Sequence, residues 1–178
     1  MKKILATFAL FVSAASLVNA SSGKITFVGS IVEGGCSVST LESSQLNIIM
    51  PTVSEALLTR PNKTAGRTPI SINLAGCKGR SLNVHFDVVQ STDIKTGRLT
   101  NTSNSKKPAN NVEIQLVSDA GSPIKIESLH RNNLQLNAQA VNVREDVAVL
   151  NYAAEYYSTG TASTGDISSS ALYTVIYH

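Results

Sequence analysis

The chain has 178 residues, no tryptophan, two cysteines and few charges. Only 15% of its positions are Asp, Glu, Lys or Arg, so it lacks the basic clusters by which a nucleic-acid partner is held. Its basic pairs, Lys106 with Lys107 and Lys95 with Arg98, lie in stretches rich in Asn, Ser and Thr, where they read as solvated loop charges. Beyond the first twenty residues no apolar run is long enough to span a bilayer, which needs about 20 residues. There is no C-x-x-C, no phosphate-binding glycine loop and no cluster with metal-ligand spacing, so neither a cofactor nor a metal is expected. His85, His130 and His178 lie far in sequence from any cysteine or Ser/Asp pair that could form a nucleophile. His85 alternates beside Phe86 and reads as a surface or edge residue of a strand. Gly160 to Gly165 (GTASTG) is not the G-x-S-x-G elbow and reads as a hairpin loop. No catalytic residue is assigned, and an enzyme is not expected.

What is present begins with a leader. Lys2 and Lys3 precede an uncharged, mostly apolar run from Ile4 to Val18, and Val18-Asn19-Ala20 supplies a small residue for cleavage. This pattern predicts a signal peptide over residues 1–20 and an exported protein. Removing the two leader lysines takes the formal charge from +3 to +1, so no strong electrostatic field remains. In an oxidising compartment Cys36 and Cys77 are expected to form one structural disulfide. The loop it closes, about 42 residues, corresponds to on the order of 4 kcal/mol by loss of chain entropy in the unfolded state.

The rest reads as β-structure. Short runs rich in Val, Ile and Thr alternate between turn signals. Strands are expected at Gln45 to Met50, Ile70 to Leu74, Leu82 to Val88, Val112 to Leu116, Ile124 to Ile126, Leu134 to Leu136, Val147 to Tyr157 and Ala171 to Tyr177. In the long run, Leu150, Tyr152, Ala154 and Tyr156 share one face. The tyrosines there and at 173 and 177 read as packed aromatic rings on sandwich faces. Ser54 to Leu58 is expected to form a short helical turn, Pro51 to Pro69 to be the least strand-like stretch, and Lys95 to Asn111 to be a long polar loop. Seven or more short strands in a single-domain length predict an all-β sandwich.

The two ends are unusual. The first segment, GKITFVGSIVEGGC, places Ile25, Phe27, Gly29 and Ile31 on one face, with a glycine where a large apolar residue is expected. Glycine costs strand propensity and fits where another backbone or wall approaches closely. Gly34-Gly35 loosens the connection to the rest. The last strand carries Ala171, Tyr173, Val175 and Tyr177 on one face and Leu172 and Ile176 on the other. A strand apolar on both sides is buried, or is covered by another chain.

These features, with Gly29 seven residues before Cys36, "ISINLAG" before Cys77, "VEIQLVSDAG", "YAAEYYSTGTAS" and the penultimate Tyr177, occur in an order that resembles chaperone–usher fimbrial subunits of the type 1 major pilin kind. The polar segment Arg60 to Arg67 departs from that pattern. The resemblance implies an incomplete immunoglobulin-like sandwich, completed by a donor strand from a neighbouring subunit. It implies a signal peptide (residues 1–20), a donor-strand extension (residues 21–34) and a pilin domain (residues 35–178). Ile25, Phe27 and Ile31 would fill apolar pockets of the next subunit, and Gly29 would sit where its groove is shallow. A periplasmic chaperone would pair first with the last strand through Ala171, Tyr173, Val175 and Tyr177, before an outer-membrane usher places the subunit in a surface fibre of identical or related subunits. The alternative within the same kind of fibre is a minor adaptor, terminator or adhesive subunit. A two-domain adhesin would need a receptor-binding domain for which the chain has no room, and no receptor is specified by the sequence.

Overall fold

In the computed structural model of the chain, residues 36–38, 46–128 and 135–177 are described. The leader, the proposed donor residues Ile25, Phe27, Gly29 and Ile31, and also His130, Leu134 and His178, lie outside the described residues. The alternating runs fold as antiparallel strands. They are β1 (Ser37–Val38), β2 (Thr64–Ala75), β3 (Ser81–Asp87), β4 (Thr92–Asp93), β5 (Arg98–Thr100), β6 (Val112–Ser118), β7 (Pro123–Ile124), β8 (Ala140–Asn142), β9 (Val147–Ser158) and β10 (Leu172–Tyr177). The first sheet has the order β1-β2-β9-β6-β5-β4, with β7 also pairing β6. The second sheet has the order β10-β3-β8.

The spine of the first sheet is the pair β2 and β9. Both are 12 residues long and they run antiparallel from Thr64 opposite Tyr157 to Ala75 opposite Val147, with an irregularity between Ala65 and Thr68. Because side chains alternate across a strand, β9 sends Ala148, Leu150, Tyr152, Ala154 and Tyr156 inward. Ile72 and Leu74 of β2, and Ile114 and Leu116 of β6, face the same way. Leu82, Val84 and Phe86 of β3 meet them from the second sheet, and Ile124, Ile126 and Val143 fill the sides. One shared core between two antiparallel sheets is the immunoglobulin-like sandwich architecture. Among the described residues no helix is long and apolar enough to cross a membrane.

Several expectations are corrected. Residues 46–50 form no strand, and neither do Gln135 and Leu136, the latter being exposed. The expected strand Ile124 to Ile126 is only the two-residue β7. Within the stretch Lys95 to Asn111, β5 pairs with β6, because Leu99 is apolar enough to be drawn into the core opposite Ile114. The β4–β5 turn closes on Gly97, whose φ of +69° and close packing leave no room for a side chain: a Cβ there would stand 2.7 Å from the Ile126 nitrogen. The Gly160–Gly165 segment is not a hairpin. It joins β9 in one sheet to β10 in the other, and it is tied down by bonds such as Ala162 N–H to the Leu58 carbonyl and Asp166 N–H to the Lys107 carbonyl. His85 is not a surface residue but is 2% exposed, and Asn83 on the same face is fully buried. Both faces of β3 are covered, which alternation on one strand does not reveal. The short helical turn is found as one turn of 3-10 helix, Glu55–Leu57, capped by the Ser54 hydroxyl accepting from Ala56 N–H.

Cys36 and Cys77 are disulfide-bonded with their Cα atoms 4.9 Å apart. The bond fastens the start of the described chain to the end of β2, where β1 also pairs: Ser37 opposite Ala75 and Val38 opposite Leu74. Deep in the core, Phe86 and Tyr152 meet edge to face, with ring centroids 5.1 Å apart. Burial pushes the Tyr152 hydroxyl up to about 12, partly offset by the hydrogen bond it accepts from Gln139 N–H.

Two outcomes are expected. Replacing Cys77 by serine together with Cys36 by serine should cost on the order of 4 kcal/mol, read as a lowered urea midpoint with a somewhat steeper slope, because the unlinked unfolded chain exposes more surface. In alkali, the raised folded-state value of Tyr152 means that stability is intact below the unfolded tyrosine value near 10 and is lost as pH rises toward 12. Tyr152→Phe should remove about 2–3 kcal/mol of that decline between pH 10 and 12, measured by urea unfolding at a series of pH values.

Candidate functional site: an apolar groove beside the last strand

The last strand is half a sheet partner. β10 pairs with β3 along its length, from Leu172 opposite Asp87 to Tyr177 opposite Leu82. Its other edge meets no strand among the described residues. Leu172 and Thr174 point outward and are exposed, and the Thr174 hydroxyl donates to Asp87 Oδ2 at 2.8 Å. Ala171, Tyr173, Val175 and Tyr177 point inward but are only half-buried, packing against the main core without being enclosed by it.

Alongside them runs a groove of about 1000 Å³. Its lining includes Ile70 and Ile72 of β2, Phe86 of β3, Leu99 of β5, Ile114 and Leu116 of β6 and Ala154 of β9. Leu46, Ile48 and Met50 contribute from the segment before β2. Thus residues from nearly every long strand of both sheets converge on one open cleft, whose surface is continuous with the core. An apolar face left open in this way is a binding surface for something that brings both side chains and a backbone edge.

The floor is held firmly at Phe86. The Gln135 side chain, itself buried, accepts from Phe86 N–H at 2.9 Å and donates to the Phe86 carbonyl at 3.1 Å and the Lys125 carbonyl at 3.0 Å. One amide therefore satisfies both backbone groups of Phe86 on the side of β3 where β8, which ends opposite Asn83, does not reach. Burial also raises the hydroxyls of Tyr173 and Tyr156 above the usual tyrosine range. At the far end of the groove, the Tyr177 hydroxyl donates to the Cys36 carbonyl at 3.2 Å. The first described residue thus touches the end of the last strand.

The four residues expected to form the chaperone-pairing strand, Ala171, Tyr173, Val175 and Tyr177, are therefore gathered on one wall of the groove. Phe86, Leu99, Ile114 and Leu116 were not singled out in sequence, although their alternation within strands marks them as inward-facing. Gln135 had no sequence signal, since its role depends on a contact 49 residues away.

Elsewhere the molecule offers a smaller cavity of about 390 Å³ between Leu58, Val112, Tyr156, Ala162 and Ile167, with Glu55 and Asp166 also lining it. The outer face of the first sheet carries paired charges. Arg98 is not a solvated loop charge: its Nε lies 2.6 Å from Glu113 Oε2, and its guanidinium stacks 3.8 Å above the Tyr157 ring. Arg67 holds Glu155 at 3.0 Å, and Gln115 donates to the other oxygen of the same carboxylate at 3.0 Å. Among the described residues no three His, Cys, Asp or Glu side chains are placed to hold a metal.

Comparison with known proteins places this architecture. The chain is 38% identical over 161 residues to the major fimbrial subunit SMF-1 of Stenotrophomonas maltophilia, covering 90% of this chain and 95% of that one. It is 37% identical over 184 residues to the F17 fimbrial protein of Escherichia coli, covering 99% of each. Its fold matches a subunit in the structure of a chaperone–usher pilus with a TM-score of 0.60 at 18% identity, covering 92% of this chain and 100% of that one. The signature of the type-1 fimbrial protein, A, spans residues 50–178, which include the whole groove strand and most of the groove lining. The chain belongs to the type-1 fimbrial protein family.

Proposed function

We propose that the chain is a structural subunit of a surface fimbria and that its groove is filled by the N-terminal arm, residues 21–34, of another copy or a related subunit. The observation that carries this reading is the edge of β10 that pairs with no strand among the described residues, beside an apolar groove. The mechanism is completion of a fold in trans, with no bond chemistry. Main-chain groups on the free edge gain partners, and apolar side chains of the arm cover the exposed core. Burying Ile25, Phe27 and Ile31 contributes roughly 1.5–3 kcal/mol each by removal from water. A shift of one residue would turn all of them outward, so the alternation also sets the register.

Two partners act before the fibre forms. Until an arm arrives, the groove needs a temporary occupant, and a periplasmic chaperone offering its own strand to β10 meets that need. An outer-membrane usher then exchanges chaperone for arm and passes the fibre outside. Residues 1–20 are the export signal in this reading, and residues 35–178 are the pilin domain. The near-neutral charge after the leader suits a subunit that must pack closely against copies of itself.

Deleting Ser21 to Glu33 should leave a subunit that still co-purifies with its chaperone and forms no head-to-tail polymer, as seen by electron microscopy of surface fibres and by gel mobility of unboiled samples. Fibres of normal length and number from the deletion would overturn the assignment of the arm.

A further inference from the structure

The edge of the first sheet carries a turn that holds an apolar side chain out in water. Between β4 and β5, Asp93 Oδ1 accepts from Lys95 N–H at 2.9 Å, and the Asp93 carbonyl accepts from Gly97 N–H at 2.7 Å. The Gly97 carbonyl in turn accepts from Ile126 N–H at 3.0 Å. The turn is thus tied within itself and to the body of the domain. Its tip is Ile94, 73% exposed, followed by the exposed Lys95. A lone apolar residue on a surface is ordinary. Among the large exposed apolar side chains of the described residues, however, Ile94 is the one with a lysine or arginine directly beside it.

The cavity of about 390 Å³ has the complementary character. Leu58, Val112, Tyr156 and Ala162 give it an apolar floor, and its two charged lining residues, Glu55 and Asp166, are both acidic. Lys106 and Lys107, on the loop beside Asp166, are exposed and do not line it. Its walls are fastened by Ala162 N–H to the Leu58 carbonyl and Ala109 N–H to the Asp166 carbonyl, both at 2.9 Å. Cavities of about 300–1,000 Å³ enclose small ligands, so an apolar side chain with the stem of its neighbour fits.

The tip and the cavity of one copy point apart. Val112, at the start of β6, lines the cavity. β5 runs antiparallel to β6, with Leu99 opposite Ile114 and Thr100 opposite Glu113, so the turn before Arg98 lies toward the other end of β6. A patch that fits a different patch on an identical molecule makes a heterologous contact, which repeats from copy to copy.

We propose that the Ile94 tip of one copy docks in this cavity of a second copy, with Lys95 meeting Glu55 and Asp166 at its mouth. The cavity shares no lining residue with the groove beside β10, so both can be occupied at once. The contact rests on the proposed fibre, which brings many copies close together.

Fibres of the full-length chain carrying Ile94→Cys with Thr164→Cys, treated with a short thiol crosslinker and boiled, should give a ladder of dimers, trimers and longer species on denaturing gels. Ile94→Cys alone should give no ladder, because a heterologous contact does not bring two tips together. Adding Lys95→Glu to the two cysteines should lower the crosslinked fraction by about fivefold, and adding Glu55→Lys as well should recover it to within about twofold. Fibres in normal number that give no ladder, or a ladder that Lys95→Glu leaves unchanged, overturn the contact and leave the proposed function standing. Absence of fibres from the unsubstituted chain removes the proposed function and this contact together. Should the two-cysteine chain fail to accumulate, Ile94→Cys alone, at its exposed position, decides. Its thiol in fibres should react with a maleimide about fivefold faster once Lys95→Glu is added, and equal rates overturn the contact.

Discussion

A three-stranded sheet cannot close a core that a wider sheet has opened. Among the described residues the second sheet ends at β10, while the first sheet continues past it with inward-facing residues on β2, β5, β6 and β9. Apolar surface and a row of backbone groups are left together along one line. Neither deficit alone would specify a partner. Together they require one that is extended, alternating and apolar on one face, which is a demand for a strand. The same constraint accounts for the composition of the tail: Tyr173, Val175 and Tyr177 are too apolar for a solvent-facing edge and too exposed for a finished core.

The remainder of the structure keeps that line straight and firm. The long β2–β9 ladder forms a stiff back to the groove, and its outer face is laced by Arg67 with Glu155 and Gln115, and by Arg98 with Glu113 and Tyr157. Exposed ion pairs contribute little stability, but the Arg98 pair is largely shielded from water on both sides and joins β5, β6 and β9. On the groove side, the Phe86–Tyr152 contact and the Gln135 amide fix the floor at its bulkiest point. A firm floor holds the shape of the groove, because packed interiors yield little to a change of one side chain.

Much of this was legible in the chain. The alternation of Leu150, Tyr152, Ala154 and Tyr156 located the inner face of β9, and the tail face of Ala171 to Tyr177 identified the groove wall, because strand periodicity is local. The disulfide was expected from two cysteines in a chain read as exported. What escaped depended on distant partners. His85 looked like a surface residue because alternation tells which face a side chain takes, not whether that face is covered. Arg98 looked solvated because its carboxylate and its aromatic ring come into reach only when β5, β6 and β9 align, with Leu99 opposite Ile114 and Glu113 opposite Tyr157. The crossover from β9 to β10 resembled a hairpin loop because Ser, Thr and Gly mark a change of direction without saying which sheet the chain enters next.

The position of the cystine bears on how a fibre of such subunits would respond to pulling. Tension applied to the chain before Cys36 would reach the described domain at that residue, and the bond to Cys77 would carry it directly across to the end of β2. The intervening residues, including β1 and all of β2, are bypassed, so they cannot be drawn out as slack. A pull on that end would therefore have to break other contacts before that half of the sandwich is unravelled.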